Sequence, residues 1–245
     1  MTELSSLLKR SFEGLGYCQG DYEDAAAAVV WLESRGMNGL DIIASTWPRL
    51  KSGVGIEVSF IADETGAEVL NANDSSVALC GRMVTDLVCA ATVDKGYARI
   101  ELLNCHGRRS ILPSLAVCAS RGLHAIAHWN DRNNLYLSSI NAHESTPDLW
   151  RIPRQADDLS PATSLAIVCS DSWQPIETLA TSLAGDHSGT RMESWLISND
   201  MQVRYDSTIR HGLRIDPDLI RRLTTAADTV LVEATEQSRL GAGES

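Results

Sequence analysis

The sequence predicts an α/β or α+β fold in which an N-terminal helical hairpin precedes a mixed sheet flanked by helices. Three observations support this fold class. Apolar residues near the N-terminus recur at helical spacing, alternating β-like stretches begin only after Trp47-Pro48-Arg49, and helical and strand-like stretches then alternate along the chain. The predicted organisation is therefore a helical segment over 1–50, a mixed α/β domain over 51–235 and a small polar tail over 236–245.

Two helices make up the predicted N-terminal hairpin. The first places its apolar residues on one face from Leu4 onwards and ends at Gly16. The second begins near Asp21 or Asp24, where an acidic residue suits a helix N-terminus, and ends at Gly36.

The rest of the chain alternates between the two periodicities. Strands are predicted at 56–60, 67–70, 97–103, 123–128 and 165–170, and a hairpin at 192–198 and 201–205. Helices are predicted from a cap at Asp74 or Ser75 to Gly96, and at 110–119, 175–184 and 216–232. The order strand, helix, strand over 97–128 is the connection that builds parallel sheets. The polar segment 130–160, which contains Pro147 and Pro153, is predicted to be a loop or boundary.

The composition disfavours nucleic acids and membranes as partners. The formal net charge is −11, from 32 acidic and 21 basic residues, which disfavours binding to nucleic acid or to an anionic membrane. No apolar run is long enough to cross a bilayer, and the first residues lack the features of a secretion signal. A cytoplasmic protein with reduced thiols is therefore expected. No metal site is predicted, because no CxxC pair or zinc-like Cys/His spacing links the six dispersed cysteines, Cys18, Cys80, Cys89, Cys105, Cys118 and Cys169.

The segment Asn104-Cys105-His106-Gly107-Arg108-Arg109 is the best local candidate for a functional site. The usual phosphate-binding motifs GxGxxG and GxxxxGK[ST] are absent, as are the GxSxG and HExxH motifs. This segment instead joins an imidazole, a flexible glycine and two guanidiniums at a predicted strand end, where ligands commonly bind. Arg108 and Arg109 are candidates to hold a carboxylate or phosphate. The alternative is that His106 bonds a loop carbonyl and both arginines are solvated.

Other clusters are weaker candidates. His124 and His128 lie on the same side of a predicted strand, but with no third ligand a core or interface role is favoured over metal binding. The tripeptide Asp186-His187-Ser188 has the residue types of a hydrolase triad, although a turn explains it better. Asp74 and Asp86 are interpreted as a cap residue and a surface charge.

These residues support a resemblance to the malate/L-lactate dehydrogenase type 2 family, the non-Rossmann NAD(P)-dependent oxidoreductases. The resemblance is clearest over 70–131, where Asn104-Cys105-His106-Gly107 is similar to the family's Asn-Ser-Asn-His-Phe-Gly segment and Trp129-Asn130-Asp131 to its Thr-Asn-Ser type turn. The segment 34–40 resembles the family's Arg-Gly-x-x-Ser-His-Gly, Trp47-Pro48-Arg49 its Leu-Pro-Arg, and 236–243 its last segment. A family of uncharacterised bacterial proteins, labelled only as a domain of unknown function, is similar as well.

The resemblance implies NAD or NADP as cofactor, a small 2-oxo, 2-hydroxy or imino acid as substrate, and a homo-oligomer or a hetero-oligomer with a pathway enzyme. It assigns acid/base catalysis to His106, cofactor contacts to Asn104, Gly107, Asn130 and Asp131, and the substrate carboxylate to Arg108 and Arg109. The chain departs from the family at Leu40, which stands where the family has its catalytic histidine. It is also shorter, and lacks the family's Gly-Thr-Asn-Pro and Gly-His-Lys-Gly segments. Two functions stay open: a divergent oxidoreductase, and a non-catalytic subunit or binding protein.

Overall fold

The computed structural model describes residues 1–50, 56–61, 68–153, 163–185, 193–196 and 198–230 of the chain. Within these ranges the chain forms eight α-helices and one eight-stranded mixed sheet. The helices are α1 Thr2–Gly14, α2 Gln19–Ser34, α3 Gly39–Thr46, α4 Val77–Lys95, α5 Leu112–Ser120, α6 Trp173–Gly185, α7 Ser198–His211 and α8 Pro217–Asp228. The strands are β1 Ser59–Ile61, β2 Glu68–Asn71, β3 Tyr97–Leu103, β4 His124–Asn130, β5 Asn134–Ile140, β6 Asp148–Pro153, β7 Leu165–Ser170 and β8 Glu193–Leu196. The predicted fold class is confirmed.

The predicted N-terminal hairpin is present as α1 and α2, and α8 packs against it. The hydroxyl of Ser11 donates a hydrogen bond of 2.8 Å to the carbonyl of Leu223 on α8. At Gly14 the two helices are so close that a Cβ atom would lie 1.9 Å from the carbonyl oxygen of Ala226. Small residues on α1 therefore allow the two ends of the described chain to meet. The sequence did not predict α3, which follows α2 and continues into a 3-10 turn at Trp47–Arg49.

The sheet has the strand order β1-β2-β3-β7-β4-β5-β6-β8, and β2 and β3 are its only parallel pair among the described strands. The predicted β-α-β unit forms, but β3 and β4 are not neighbours. Strand β7 lies between them and is antiparallel to both, so that Ile167 pairs with Ile100 on one side and Ala127 on the other. Every residue of β7 is buried, as its apolar sequence suits a central strand.

The prediction of a loop over 130–160 is wrong for much of that segment. It contains β5 and β6, which pair with each other in antiparallel register. Pro147 precedes β6 and Pro153 is its last residue, so both prolines border the strand, where a missing N–H donor is tolerated.

The predicted hairpin at 192–205 is also wrong. Strand β8 pairs with β6, and the residues after it form helix α7. The backbone N–H of Ser198, at the start of α7, donates a 2.6 Å hydrogen bond to the carboxylate of Asp148. An acidic side chain from β6, distant in sequence, thus supports the N-terminus of α7.

Helices cover both faces of the sheet. Helices α4 and α5 pack on one face, with the main core between them and the strands. On the other face, α6 covers a smaller cluster formed by Ile126, Leu137, Val168 and Ile176. None of the described helices is both long enough and apolar enough to cross a membrane.

Helix α4 positions the segment that follows β3. Its N-cap is Ser76, whose hydroxyl accepts a hydrogen bond of 3.3 Å from the N–H of Ala78, so the predicted caps Asp74 and Ser75 lie just before the helix. At the other end Gly96 adopts φ 72° and stops the helix as predicted.

Candidate ligand-binding site

The segment after β3 is fixed against the N-terminus of α4 by main-chain hydrogen bonds. Asn104 has a left-handed backbone with φ 52°, and its carbonyl accepts from the N–H of Asp74 at 2.9 Å. His106 donates its N–H to the carbonyl of Ser75 at 3.2 Å and accepts from the N–H of Val77 at 2.9 Å. These bonds hold the imidazole of His106 at a defined place beside α4.

His106 lines a small cavity of about 100 Å³, here named the His106 cavity. Its lining residues are Tyr17, Arg49, Leu50, Ile56, Glu57, Asn73, Asp74, Ser75, Ser76, Leu79 and His106. Burial lowers the pKa of His106, whereas the Asp74 carboxylate and a hydrogen bond with the Asp74 main chain raise it less strongly. The ring is therefore neutral at neutral pH. Its buried Nδ1 atom has no hydrogen-bond partner in the described part of the chain.

Gly107 stands between the His106 cavity and a larger cleft. Its backbone has φ 64°, and a Cβ atom would lie 3.1 Å from Cγ2 of Ile42 and 3.2 Å from the hydroxyl of Ser76. Glycine is suited to this position because it adopts a positive φ without strain and leaves room for the close approach of α3.

The larger cleft, here named the arginine cleft, has a volume of about 440 Å³. Its lining residues are Asn38, Asp41, Ile42, Ser45, Gly107, Arg108, Arg109, Trp129, Asp131 and Tyr136. Burial lowers the pKa of both Arg108 and Arg109, and Asp131 and Tyr136 counteract that effect. Both guanidiniums stay cationic at neutral pH, because even a lowered arginine pKa lies far above it. Nη1 of Arg109 donates to the carbonyl of Met37 at 3.1 Å.

An aromatic pair and a carboxylate complete the cleft. The rings of Trp129 and Tyr136 stack with centroids 5.4 Å apart and an interplanar angle of 12°. The carboxylate of Asp131 accepts from the N–H groups of Asn133 and Asn134, both at 2.7 Å, and from the Tyr136 hydroxyl at 2.8 Å. Burial would raise the pKa of Asp131, but these hydrogen bonds together lower it.

The structure divides the predicted site residues between different places. Gly107, Arg108, Arg109 and Asp131 converge on the arginine cleft, and His106 lines the separate His106 cavity. Asn104 is exposed, and its side-chain amide donates to the side-chain oxygen of Asn71 at 3.1 Å. Asn130 is buried, and the alternation of a strand turns it away from the cleft that Trp129 and Asp131 line. Asn104 and Asn130 are therefore not brought to the cleft.

Leu40 does not face the cleft either. Its side chain is only 5% exposed and packs in the cluster formed by α1, α2 and α8, and its N–H donates to the carboxylate of Glu33 at 2.9 Å. The neighbouring Asp41 lines the arginine cleft instead. Helix α3 thus presents Asp41, and not Leu40, to the cleft.

Sequence reasoning missed six lining residues of the arginine cleft. Asn38, Asp41, Ile42 and Ser45 come from α3 and its cap, which were not predicted. Trp129 and Tyr136 come from β4 and β5, and β5 lay in the segment predicted to be a loop. The available signal was the short apolar run Leu135-Tyr136-Leu137, which includes an aromatic residue and is consistent with a buried strand.

The weaker candidates have ordinary environments where they are described. Nδ1 of His124 accepts from the N–H of Ala142 at 3.2 Å, and the half-buried His128 lies on the same side of β4. Asp86 is a surface charge as predicted and pairs with Arg121 at 2.6 Å. The tripeptide 186–188 lies outside the described residues.

Comparison with known proteins agrees with this architecture. Residues 1–74 match the family described as "Protein of unknown function (DUF3726)". No curated protein matches the chain. Among solved structures, malate dehydrogenase from Pyrococcus horikoshii OT3 is similar with a TM-score of 0.64 and 12% identity, over 95% of this chain and 95% of that chain. This chain has a malate/lactate dehydrogenase-like fold.

Two further structures with this fold act on other small acids. Sulfolactate dehydrogenase from Methanocaldococcus jannaschii is similar with a TM-score of 0.60 and 9% identity, over 93% of this chain and 95% of that chain. Delta1-piperideine-2-carboxylate reductase from Pseudomonas syringae has a TM-score of 0.57 and 13% identity, over 92% of this chain and 98% of that chain. The resemblance seen in the sequence is therefore supported as a fold over nearly the whole chain.

Proposed function

We propose that this protein is a divergent oxidoreductase with a dehydrogenase-like fold, which binds a small 2-oxo, 2-hydroxy or cyclic imino acid in the arginine cleft. The observation that carries the proposal is the presence of two adjacent, partly buried guanidiniums, Arg108 and Arg109, in one cleft. Guanidiniums match the planar geometry of a carboxylate, and partial burial strengthens the attraction because water screens it less. A volume of about 440 Å³ is within the range of small-molecule sites.

The remaining walls of the cleft suit the rest of such a ligand. The stacked Trp129 and Tyr136 rings are largely buried and form an apolar part of the cleft wall, beside which a short carbon skeleton or an imino ring would pack. The carboxylates of Asp41 and Asp131 lie in the same cleft as acceptors for a hydroxyl or an imino N–H. An acid that carries a hydroxyl or imino group beside its carboxylate would contact both the apolar rings and the carboxylates of the cleft.

The resemblance implies a nicotinamide cofactor, but the described residues assigned to it do not fit such a group. Of the four predicted contacts, Gly107 and Asp131 line the arginine cleft, whereas Asn104 is exposed at the end of β3 and Asn130 lies on the other face of the sheet. These four residues therefore do not form one binding site for the cofactor.

Titration calorimetry with L-malate, L-lactate, pyruvate and piperideine-2-carboxylate tests acid binding. Replacing Arg109 or Arg108 by methionine keeps an unbranched apolar stem but removes the charged guanidinium. Each replacement should weaken binding about 10-fold to 100-fold, since a charged hydrogen bond contributes about 1.5 to 3 kcal/mol. Arg132→Met is the matched control, because Arg132 is exposed on the turn beside Asp131 and does not line the cleft.

Equal affinity in the wild type and in both cleft variants would refute the proposed site. So would the absence of binding to any of these acids at millimolar concentration. Circular dichroism and thermal unfolding of each variant separate a lost contact from a lost fold.

Two observations favour binding without hydride transfer as the second candidate function. His106, the predicted acid/base, lines a different cavity from the arginines, and Leu40, at the family's catalytic position, is buried in the helical core. This candidate predicts that the acids bind but that neither NADH nor NADPH is consumed with the corresponding 2-oxo acids. Turnover by the purified chain that is lost in His106→Ala would exclude it and establish the oxidoreductase.

A further inference from the structure

Three cysteines that are far apart in the sequence meet inside the protein. Cys89 lies on α4, Cys118 on α5 and Cys169 on β7, and all three are buried. The sulfur of Cys118 is 3.6 Å from that of Cys89 and 3.4 Å from that of Cys169, and all three sulfurs lie within 4.8 Å of one another. The spacing in the sequence gave no sign of this thiol triad.

We propose that the thiol triad is a binding site for one soft monovalent cation, Cu(I), held by three thiolates. In the plane of the sulfurs, the point equidistant from all three lies about 2 to 2.4 Å from each, close to the ~2.3 Å of a metal–thiolate bond. A cation would therefore fit with shifts of only a few tenths of an ångström.

The donor set selects the type of ion. Thiolate sulfur is a soft ligand that favours Cu(I), zinc and iron–sulfur clusters over hard cations such as Mg²⁺ or Ca²⁺. Structural zinc takes four protein ligands, and the described residues add no fourth cysteine, histidine or carboxylate to the group. Three sulfurs in one layer instead match the low coordination number of Cu(I).

The Arg121 guanidinium lies at one corner of the triad, where it hydrogen-bonds with Cys89. Binding of the cation would displace the thiol protons of the triad. Arg121 also offsets part of the negative charge that three thiolates and one monovalent cation would leave.

Competition with the Cu(I) chelator bicinchoninate, under anaerobic reducing conditions, tests the site on the full chain. The wild type should withdraw one equivalent of Cu(I) from the chelator and release protons on binding. Cys89→Ala, Cys118→Ala and Cys169→Ala should each weaken binding at least 10-fold. Cys80→Ala and Cys105→Ala are the matched controls, since they remove a buried thiol from the same core but outside the triad, and they should bind as the wild type does.

X-ray absorption of the Cu(I)-loaded wild type supplies a measurement that does not depend on the folding of any variant. It should report three sulfur ligands. Nitrogen or oxygen ligands, retention of the bound equivalent in all three triad variants, or no competition with the chelator would each overturn the proposal.

Discussion

His128 should make the protein lose stability in mild acid, and replacing it by leucine should remove that loss. Burial, with a smaller contribution from Arg99, lowers the pKa of His128 from an ordinary 6.5 to about 4. Its buried Nε2 has no hydrogen-bond partner within the described residues. The residues paired with it on the adjacent strands are Leu137 and Ala166, so a leucine at this position has apolar neighbours.

The direction of this pH effect on stability follows from proton binding by His128 in the folded and unfolded states. Between pH 4 and 6.5 the unfolded chain protonates this imidazole and the folded chain does not, so stability is complete above about pH 6.5 and decreases as the pH falls towards 4. The full pKa difference corresponds to at most about 3.4 kcal/mol, and about 2 to 2.5 kcal/mol of it is lost by pH ~4.5.

Urea unfolding of the wild type and His128→Leu near pH 7.5 and pH 4.5 measures this effect. The stability difference between the two proteins should shift by about 2 kcal/mol in favour of the variant at the lower pH. His211→Gln is the control, because His211 is exposed on α7, and it should keep the pH dependence of the wild type. Parallel pH profiles for the wild type and His128→Leu would refute the reasoning.

Three further predictions concern the contact between α1 and α8, the wall of the arginine cleft and the N-terminus of α4. Gly14→Ala should destabilise the protein by about 2 kcal/mol or more in urea unfolding, because its Cβ would lie 1.9 Å from the carbonyl oxygen of Ala226; an unchanged midpoint would contradict that close approach. Asp131→Asn and Tyr136→Phe should show a coupling of about 1 kcal/mol in a double-mutant cycle, and additive effects would mean that their 2.8 Å hydrogen bond contributes little. Ser76→Ala should lower the free energy of unfolding by about 1 kcal/mol through loss of the N-cap of α4, and an unchanged free energy of unfolding would mean that this hydrogen bond contributes little.

Local patterns were sufficient for most elements but not for their neighbours in space. The helical spacing of α1 and α4 and the apolar run of β7 predicted those elements, because their periodicity comes from residues close in sequence. The sequence-based predictions were wrong for β5, β6 and α7. In these elements the small number of buried side chains, or the mixture of polar and apolar residues, obscured the hydrophobic periodicity. Helix α7 has only one buried residue, Met201, so it carried almost no amphipathic signal.

The sequence by itself determined the fold class and the chemical content of the segment 104–109, because an imidazole, a glycine and two guanidiniums are properties of the residues. Only the tertiary structure decided how these groups are arranged. The left-handed turn at Gly107 sends His106 to one cavity and Arg108 and Arg109 to another, and β5 brings Tyr136 to Asp131. It also decided that β7 inserts between β3 and β4, which places Cys169 beside Cys118. The physical reason is that strand order and helix packing depend on contacts between residues distant in sequence, which no local period records.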